Sequence, residues 1–175
     1  MVIWFIGLSG SGKTTVSKLV YNELKKEIPN LVRLDGDVLR EVFGNDAGHT
    51  VEGRRKNAVR LSNLTKMLAD QNIHVVAAVL SIFPEWQKWN RDHIDNYAEV
   101  YMKASMDTLK KRDIKNLYEP AYNGDIENVV GVDIPFPEPQ NADLTLDNNR
   151  ERENFDDMIE KVLQLQVVKD ARRQV

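Results

Sequence analysis

A glycine-rich segment with a single lysine lies between the first apolar run of the chain and a stretch typical of a helix. It reads Gly-Leu-Ser-Gly-Ser-Gly-Lys-Thr from Gly7 to Thr14 and matches the spacing G-x-x-x-x-G-K-[ST] in full. Glycines let such a loop curl so that its N–H groups face phosphate oxygens, and the helix that follows adds the positive end of its dipole. We therefore expect a nucleoside triphosphate site, in which Lys13 reaches the β and γ phosphates and the Thr14 hydroxyl holds Mg²⁺. The expected contacts are Gly7, Ser9, Gly10, Ser11, Gly12, Lys13, Thr14 and Thr15.

Two carboxylates follow the second predicted strand, in Leu34-Asp35-Gly36-Asp37. Open α/β sheets bind ligands at the carboxyl ends of their parallel strands, so both side chains are expected at a ligand site. One of them could orient Mg²⁺ or accept the proton of a substrate hydroxyl while the other anchors the turn, and helix capping by Asp37 is the alternative. Arg40 falls one helical turn after Asp37, where it can share a face with this carboxylate and meet an anionic substrate.

A basic stretch follows in Gly53-Arg54-Arg55-Lys56-Asn57-Ala58-Val59-Arg60. Arg54, Asn57 and, less regularly, Arg60 follow the three-to-four residue spacing of one helix face. Guanidinium groups with an amide beside them suit the recognition of a substrate phosphate. For Arg55 and Lys56 we expect a solvated basic face instead.

Composition and missing motifs narrow the class of protein. The chain has 24 Lys+Arg against 27 Asp+Glu, a formal net charge of -3, which argues against broad binding of nucleic acid or of an anionic membrane. It has no cysteine, so disulfides and thiolate zinc sites are excluded and a reducing cytoplasm is the expected compartment. The sequence has neither the Asn-Lys-x-Asp element of guanine-specific switch proteins nor the length of a transporter ATPase. A kinase with a small-molecule substrate fits best.

Apolar runs and helical periodicity alternate along the 175 residues and predict a single domain over 1–175. We expect an α/β fold of three layers, the P-loop NTPase fold, with a five-stranded parallel sheet whose third strand lies beside the first. A segment rich in Gly, Pro and Asn at about 113–141 is predicted to be a mobile lid. A last helix at about 150–168 should pack on the sheet, and the tail 169–175 should be frayed. Strands are predicted at 2–6, 31–34, 74–81, 99–104 and 144–146, and the other helices at 13–27, 37–43, 51–71, 86–97 and 106–112.

Taken together, these motifs resemble the adenylylsulfate kinase family of P-loop kinases, over the stretch from Val2 to about Asp147. Further matches are Arg112-Asp113-Ile114-Lys115-Asn116-Leu117-Tyr118 and Gly131-Val132-Asp133 before a proline-rich segment. The resemblance implies that ATP phosphorylates the 3′-hydroxyl of a nucleoside whose 5′ end carries an anhydride-linked anion, with Mg²⁺ as the metal. It implies Asp37 as the base and Arg112 near the ATP, and it is compatible with a homodimer. Around the acceptor it places Asp35, Asp37, Arg40, His49, Arg54, Asn57, Leu80, Ser81, Lys115 and Val129.

Two departures from the family pattern concern the acceptor. The family usually has Phe where His49 and Val129 stand, and those two rings sandwich the adenine of adenylyl sulfate. Stacking of a base on an aromatic ring contributes about 1–3 kcal/mol, so a purine acceptor is disfavoured here. Trp86 and Trp89 could form a replacement platform or could serve packing alone. By resemblance, cytidine diphosphoramidate of capsule modification is the expected acceptor and adenylyl sulfate the alternative; a non-catalytic nucleotide-binding protein and a plain ATPase are further alternatives.

Overall fold

The computed structural model describes residues 1–113 and 115–173. Ile114, which belongs to the predicted lid, and Gln174 and Val175, which belong to the predicted frayed tail, lie outside the described residues. Within the two ranges, no helix is long and apolar enough to cross a membrane.

Five parallel strands form one sheet in the order β2-β3-β1-β4-β5. Their bounds are Val2–Ile6 (β1), Leu31–Asp35 (β2), His74–Val79 (β3), Tyr97–Lys103 (β4) and Leu144–Asp147 (β5). The prediction of a parallel sheet with the third strand beside the first is confirmed, and β1 lies at its centre with every residue buried. The third strand ends before Ser81, because Ser81 has a φ of 54° and so leaves the extended conformation.

Helices cover both faces of the sheet, as predicted. The side chains of β1 alternate between two cores: Ile3 and Phe5 pack on one face, and Val2, Trp4 and Ile6 on the other. The helices are Lys13–Lys25 (α1), Gly36–Val42 (α2), Val51–Asp70 (α3), Pro84–His93 (α4), Met106–Arg112 (α5), Tyr118–Asn123 (α6), Asp156–Leu163 (α7) and Gln166–Arg172 (α8). The first core includes residues of α1, α7 and α8, whereas α3 contributes to the second.

Three helical predictions were wrong at their ends. The fourth helix begins at Pro84, whose fixed φ suits a first helical turn, and it ends before Tyr97, which belongs to β4. The predicted helix 150–168 begins only at Asp156, and it is two helices because Leu165 between them leaves the helical backbone angles. The tail is helical up to Arg172 rather than frayed, since Val168 and Ala171 are buried in the first core.

The segment predicted as a lid contains a helix, α6, that its composition did not reveal. The Asp113 carboxylate accepts hydrogen bonds from the N–H groups of Leu117 and Tyr118, at 2.7 and 3.0 Å, and so caps the start of α6. The Tyr118 hydroxyl donates to the Ser9 carbonyl of the glycine-rich loop, at 2.8 Å. These contacts attach the segment to the loop, and its motion stays a prediction.

Candidate active site

A cavity of about 840 Å³ opens at the carboxyl ends of β1, β2 and β3, where parallel α/β sheets bind ligands. It brings together most of the residues that the sequence singles out. Those that line it are Ser9, Gly10, Gly12, Lys13, Thr14, Thr15, Asp35, Asp37, Arg40, His49, Arg54, Asn57, Leu80, Ser81, Lys115 and Val129. The first and last residues of the lining, Trp4 in β1 and Val130 in the predicted lid, are far apart in the sequence and share one cleft.

Three residues predicted to contact the nucleotide lie outside this lining. Gly7, the first residue of the loop, packs closely against β4. A Cβ atom at this position would lie 2.6 Å from the Met102 carbonyl oxygen, so only glycine fits here. Ser11 is fully buried. The Arg112 guanidinium donates to the Arg150 carbonyl at 3.0 Å, and the role of Arg112 near ATP stays a prediction.

The glycine-rich loop presents its lysine to the cleft. Helix α1 begins at Lys13, directly after Gly12, which has a φ of 96°. The Lys13 ammonium donates to the Leu8 carbonyl at 2.7 Å, across the loop. Burial lowers the pKa of Lys13 to about 8, against the opposing effect of Asp37 and Asp35. An anion placed in the loop would favour the ammonium form and raise the pKa of Lys13.

Asp35 organises the junction between the loop and α2. Its Oδ2 accepts from the Thr14 hydroxyl at 3.2 Å and from Arg33 at 3.1 Å, while its Oδ1 accepts from the Asp37 N–H at 3.1 Å. Asp35 is therefore the residue that caps α2, and the alternative role of Asp37 as a cap was wrong. The Thr14 hydroxyl and the Asp35 carboxylate are adjacent hard oxygen donors, a set that fits Mg²⁺.

The side chain of Asp37 does not cap α2 and lines the cleft instead. Its Oδ2 accepts from the Lys115 ammonium at 2.5 Å, and both side chains are more than half exposed. Burial alone would raise the pKa of Asp37, but the hydrogen bond and charge of Lys115, with the charges of Lys13 and Arg40, lower it below the ordinary carboxyl value. The carboxylate is therefore ionised at neutral pH, and cations from two distant parts of the chain surround it.

Arg40, Arg54 and Asn57 form a cationic wall across the cleft from the loop. With its amide oxygen turned towards Arg40, the buried Asn57 accepts from both terminal guanidinium nitrogens, at 2.8 and 3.0 Å. Arg54 donates to the His49 carbonyl and to the Asn128 carbonyl, each at 2.8 Å. Burial lowers the pKa of Arg54 and neighbouring Arg40 lowers it further, as expected where two guanidinium groups share a site for an anion.

The other basic residues of α3 lie elsewhere. Arg60 makes two hydrogen bonds to the Asp46 carboxylate, at 2.6 and 2.8 Å, so its predicted place on the face of Arg54 was wrong. Lys56 also pairs with Asp46, at 2.8 Å, and Arg55 pairs with Glu85. These ion pairs lie at the surface, where such contacts contribute little to the free energy of unfolding.

The two positions without the expected rings flank Arg54. His49 and Asn128 each supply a carbonyl to its guanidinium, and Val129 follows Asn128. Val129 is buried, whereas His49 is exposed at the rim. Of the two tryptophans, Trp86 lines the cleft, while Trp89 stacks on His93 with ring centroids 4.5 Å apart. Trp86 is thus in reach of a ligand, and Trp89 packs on a neighbour within α4.

Two residues contact the loop although the sequence did not identify them as site residues. Tyr118 binds the Ser9 carbonyl, although it lies in a motif that the resemblance already included. Asn148 donates from its side chain to the Ser11 carbonyl, at 2.9 Å, over a sequence separation of 137 residues. Because no periodicity or spacing connects positions so far apart, Asn148 had no signal in the sequence.

The order of the parallel strands, the glycine-rich loop between β1 and α1, and the cleft beside it define a P-loop nucleotide-binding protein of the small-kinase class. The family model described as adenylylsulphate kinase matches residues 1–147, and the chain belongs to this family. The resemblance inferred from the sequence motifs is therefore confirmed.

Three similar proteins are kinases with named acceptors. The chain is 42% identical over 162 residues to a cytidine diphosphoramidate kinase of Campylobacter jejuni, covering 93% of this chain and 94% of that protein. It is 37% identical over 151 residues to an adenylyl-sulfate kinase of Halothermothrix orenii, covering 86% and 82%. The solved APS kinase of Mycobacterium tuberculosis, in complex with AMPPNP and APS, is 34% identical with a TM-score of 0.83, covering 96% of each chain. All three are kinases that act on nucleotides.

Proposed function

We propose that this chain transfers the γ-phosphoryl group of ATP to the 3′-hydroxyl of a nucleoside 5′-phosphate anhydride, and that its acceptor is cytidine diphosphoramidate. The observation that carries the proposal is the joint presence, in one cleft, of the loop lysine, the ionised carboxylate of Asp37 and a separate cationic wall. The lysine is needed to bind the triphosphate, and the carboxylate is needed to orient the acceptor hydroxyl. The cationic wall is needed to bind the phosphate of the acceptor.

Asp37 is the proposed base. Its lowered pKa keeps it ionised, so it can accept a hydrogen bond from the acceptor hydroxyl and orient the oxygen for in-line attack. As the bond from this oxygen to the γ phosphorus forms and the bond from phosphorus to the ADP oxygen breaks, the hydroxyl proton passes to Asp37. Lys115 contacts only Oδ2 of Asp37, so Oδ1 can accept from the acceptor hydroxyl while the Lys115 ammonium stays beside the phosphate groups.

The donor side depends on the loop. Lys13 is placed to move from the Leu8 carbonyl to the phosphates, and the loop N–H groups hold the oxygens. Thr14 and Asp35 would hold Mg²⁺, which supplies neutralisation of phosphate charge when it is bound. Arg40, Arg54 and Asn57 are proposed to bind the 5′ phosphate of the acceptor. Leu80 and Ser81, which directly follow β3, are proposed as further acceptor contacts.

The preference for a cytidine acceptor depends on His49 and Val129. The two residues flank Arg54, and neither offers the flat apolar ring that would hold a purine from both sides. The higher identity to the cytidine diphosphoramidate kinase of C. jejuni, 42% against 37% for the adenylyl-sulfate kinase of H. orenii, supports the same acceptor. Adenylyl sulfate is the second candidate, favoured by the close likeness to the M. tuberculosis enzyme that binds APS.

Restoring the two rings should shift acceptor preference. We expect the double variant His49→Phe/Val129→Phe to gain about tenfold or more in kcat/KM for adenylyl sulfate relative to cytidine diphosphoramidate, because each ring adds stacking to a purine. The measurement is ADP release with each acceptor, coupled to NADH oxidation, with the wild-type protein as the baseline.

Val129 is buried, so a larger side chain there can strain its packing, and the single variant His49→Phe keeps the test open. Val42→Phe is a matched control, because Val42 is 71% exposed and does not line the cleft. An unchanged acceptor ratio in both His49 variants would argue against base recognition at this position.

A further inference from the structure

Asn148 lies directly behind the glycine-rich loop, on the side away from the cleft. It follows β5, and its backbone N–H donates to the Lys103 carbonyl of β4 at 2.8 Å, which continues the pairing of the two strands. Asn148 is 3% exposed. A polar side chain this deeply buried needs a hydrogen-bond partner, and the sheet gives its backbone little freedom to move.

The partner of this side chain is the loop. Asn148 Nδ2 donates to the Ser11 carbonyl at 2.9 Å. The same nitrogen would lie 2.7 Å from a Cβ atom added to Gly12, so the amide packs against the loop at that point. Gly12 has φ 96° and ψ 4°, a left-handed conformation, and no side chain caps the start of α1 after it.

The planarity of the peptide bond gives this contact a directional consequence. In a trans peptide, the carbonyl of Ser11 and the N–H of Gly12 point in opposite directions. Gly12 lines the cleft, whereas Asn148 and Ser11 do not. Because Asn148 holds the Ser11 carbonyl towards the back of the loop, the Gly12 N–H is directed to the opposite side, where phosphate oxygens would bind.

We infer that Asn148 is a positioning residue for the nucleotide: from the end of β5 it fixes the orientation of the Ser11–Gly12 peptide so that the Gly12 N–H is available to a phosphate oxygen. The inference rests on the triphosphate-binding role proposed for the loop. It adds that the conformation of the loop depends on a residue that follows an edge strand of the sheet, 137 positions from Ser11 in the sequence.

The test substitutes Asn148 with residues that cannot donate at this position. Asn148→Leu keeps the approximate volume and removes the amide, and Asn148→Ala removes the side chain. We expect both variants to bind AMPPNP-Mg²⁺ about tenfold more weakly, because a buried carbonyl loses its donor and the peptide is free to turn. Affinity for the nucleotide is measured by calorimetry, and the KM for the acceptor, which should change little, by ADP release.

Asn149→Ala is the matched control. Asn149 also follows β5, but its side chain accepts from the Ser105 N–H and the Thr108 hydroxyl at the start of α5, away from the loop. It should leave nucleotide affinity unchanged. A purely structural role for Asn148 would lower thermal stability and weaken nucleotide and acceptor alike. The ¹⁵N–¹H signal of Gly12 should shift in the Asn148 variants and stay in place in the Asn149 variant.

Asn148→Thr retains a shorter donor and should fall between wild type and Asn148→Ala, which keeps the test informative if the apolar variants fold poorly. Wild-type nucleotide affinity in folded Asn148→Ala or Asn148→Leu, or an equal loss of affinity in Asn149→Ala, would overturn the inference. A wild-type protein that does not bind AMPPNP would instead contradict the proposed function itself, so the two failures are distinguishable.

Discussion

Asp37→Asn is expected to lower kcat by about 10²–10⁴ while the protein still binds ATP. The substitution keeps the size of the side chain and removes the negative charge that accepts the hydroxyl proton. It also removes the ion pair with Lys115, which lies outside the loop that holds the triphosphate. Turnover is measured as acceptor-dependent ADP release, and ATP affinity is measured separately by calorimetry.

Asp46→Asn is the matched control for this substitution. Asp46 is also a carboxylate surrounded by cations, with hydrogen bonds to Arg60 and Lys56, but it does not line the cleft. Its loss should leave turnover close to wild type. Near-normal kcat in Asp37→Asn would remove Asp37 from the role of base, whatever the behaviour of the control.

Lys13→Met is expected to reduce kcat/KM for ATP by about 10²–10³, since the ammonium is the only side-chain charge that the loop itself supplies to the phosphates.

The affinity for ATP should also depend on pH. The free protein has a lowered pKa of about 8 at Lys13, so above this pH the lysine is mostly neutral before ATP binds. Binding of the polyanion favours the ammonium and raises the pKa, so affinity should fall as pH rises through about 8.

The same change in pKa requires proton uptake on binding. At about pH 8.5, the apparent binding enthalpy of ATP-Mg²⁺ in wild type should depend on the ionisation enthalpy of the buffer, and in Lys13→Met this dependence should shrink. Lys18→Met serves as the control, because Lys18 is an exposed lysine of α1 that does not line the cleft. Proton uptake that persists unchanged in Lys13→Met would assign the titration to another group.

Local sequence determined the parts of this molecule that could be predicted. The glycine-rich loop, the lysine after it and the start of α1 are neighbours in the chain, so their spacing defines their geometry directly. The apolar run of the third strand likewise required burial on both faces, and it lies next to β1 in the sheet.

The parts that could not be predicted depend on backbone angles or on distant contacts. Asp35 ends β2 and Asp37 lies two residues further on, and only the extended backbone of Asp35 decides which of them caps α2. Arg60 has nearly the spacing of the Arg54 face, yet Asp46 in the preceding loop holds it elsewhere. The ion pair of Lys115 with Asp37 joins residues 78 positions apart, a distance over which the sequence carries no periodic signal.

The lid and the homodimer remain predictions. Two carboxylates within the lid segment shape its local structure: Asp113 caps α6, and Asp133 accepts from the N–H groups of Asn128 and Val129 at 2.6 Å. Val129 is held by the second of them, beside the carbonyl that binds Arg54.

The most direct test of the proposed function compares two acceptors with one enzyme. With saturating ATP-Mg²⁺, kcat/KM is measured for cytidine diphosphoramidate and for adenylyl sulfate by coupled ADP release. The position of the new phosphate group on the product is determined by ³¹P NMR. We predict a 3′-phosphate on the cytidine compound and a preference for it of about tenfold or more, because the two rings that would stack on a purine are absent. A preference for adenylyl sulfate, or ADP release that neither acceptor accelerates, would contradict the proposed function.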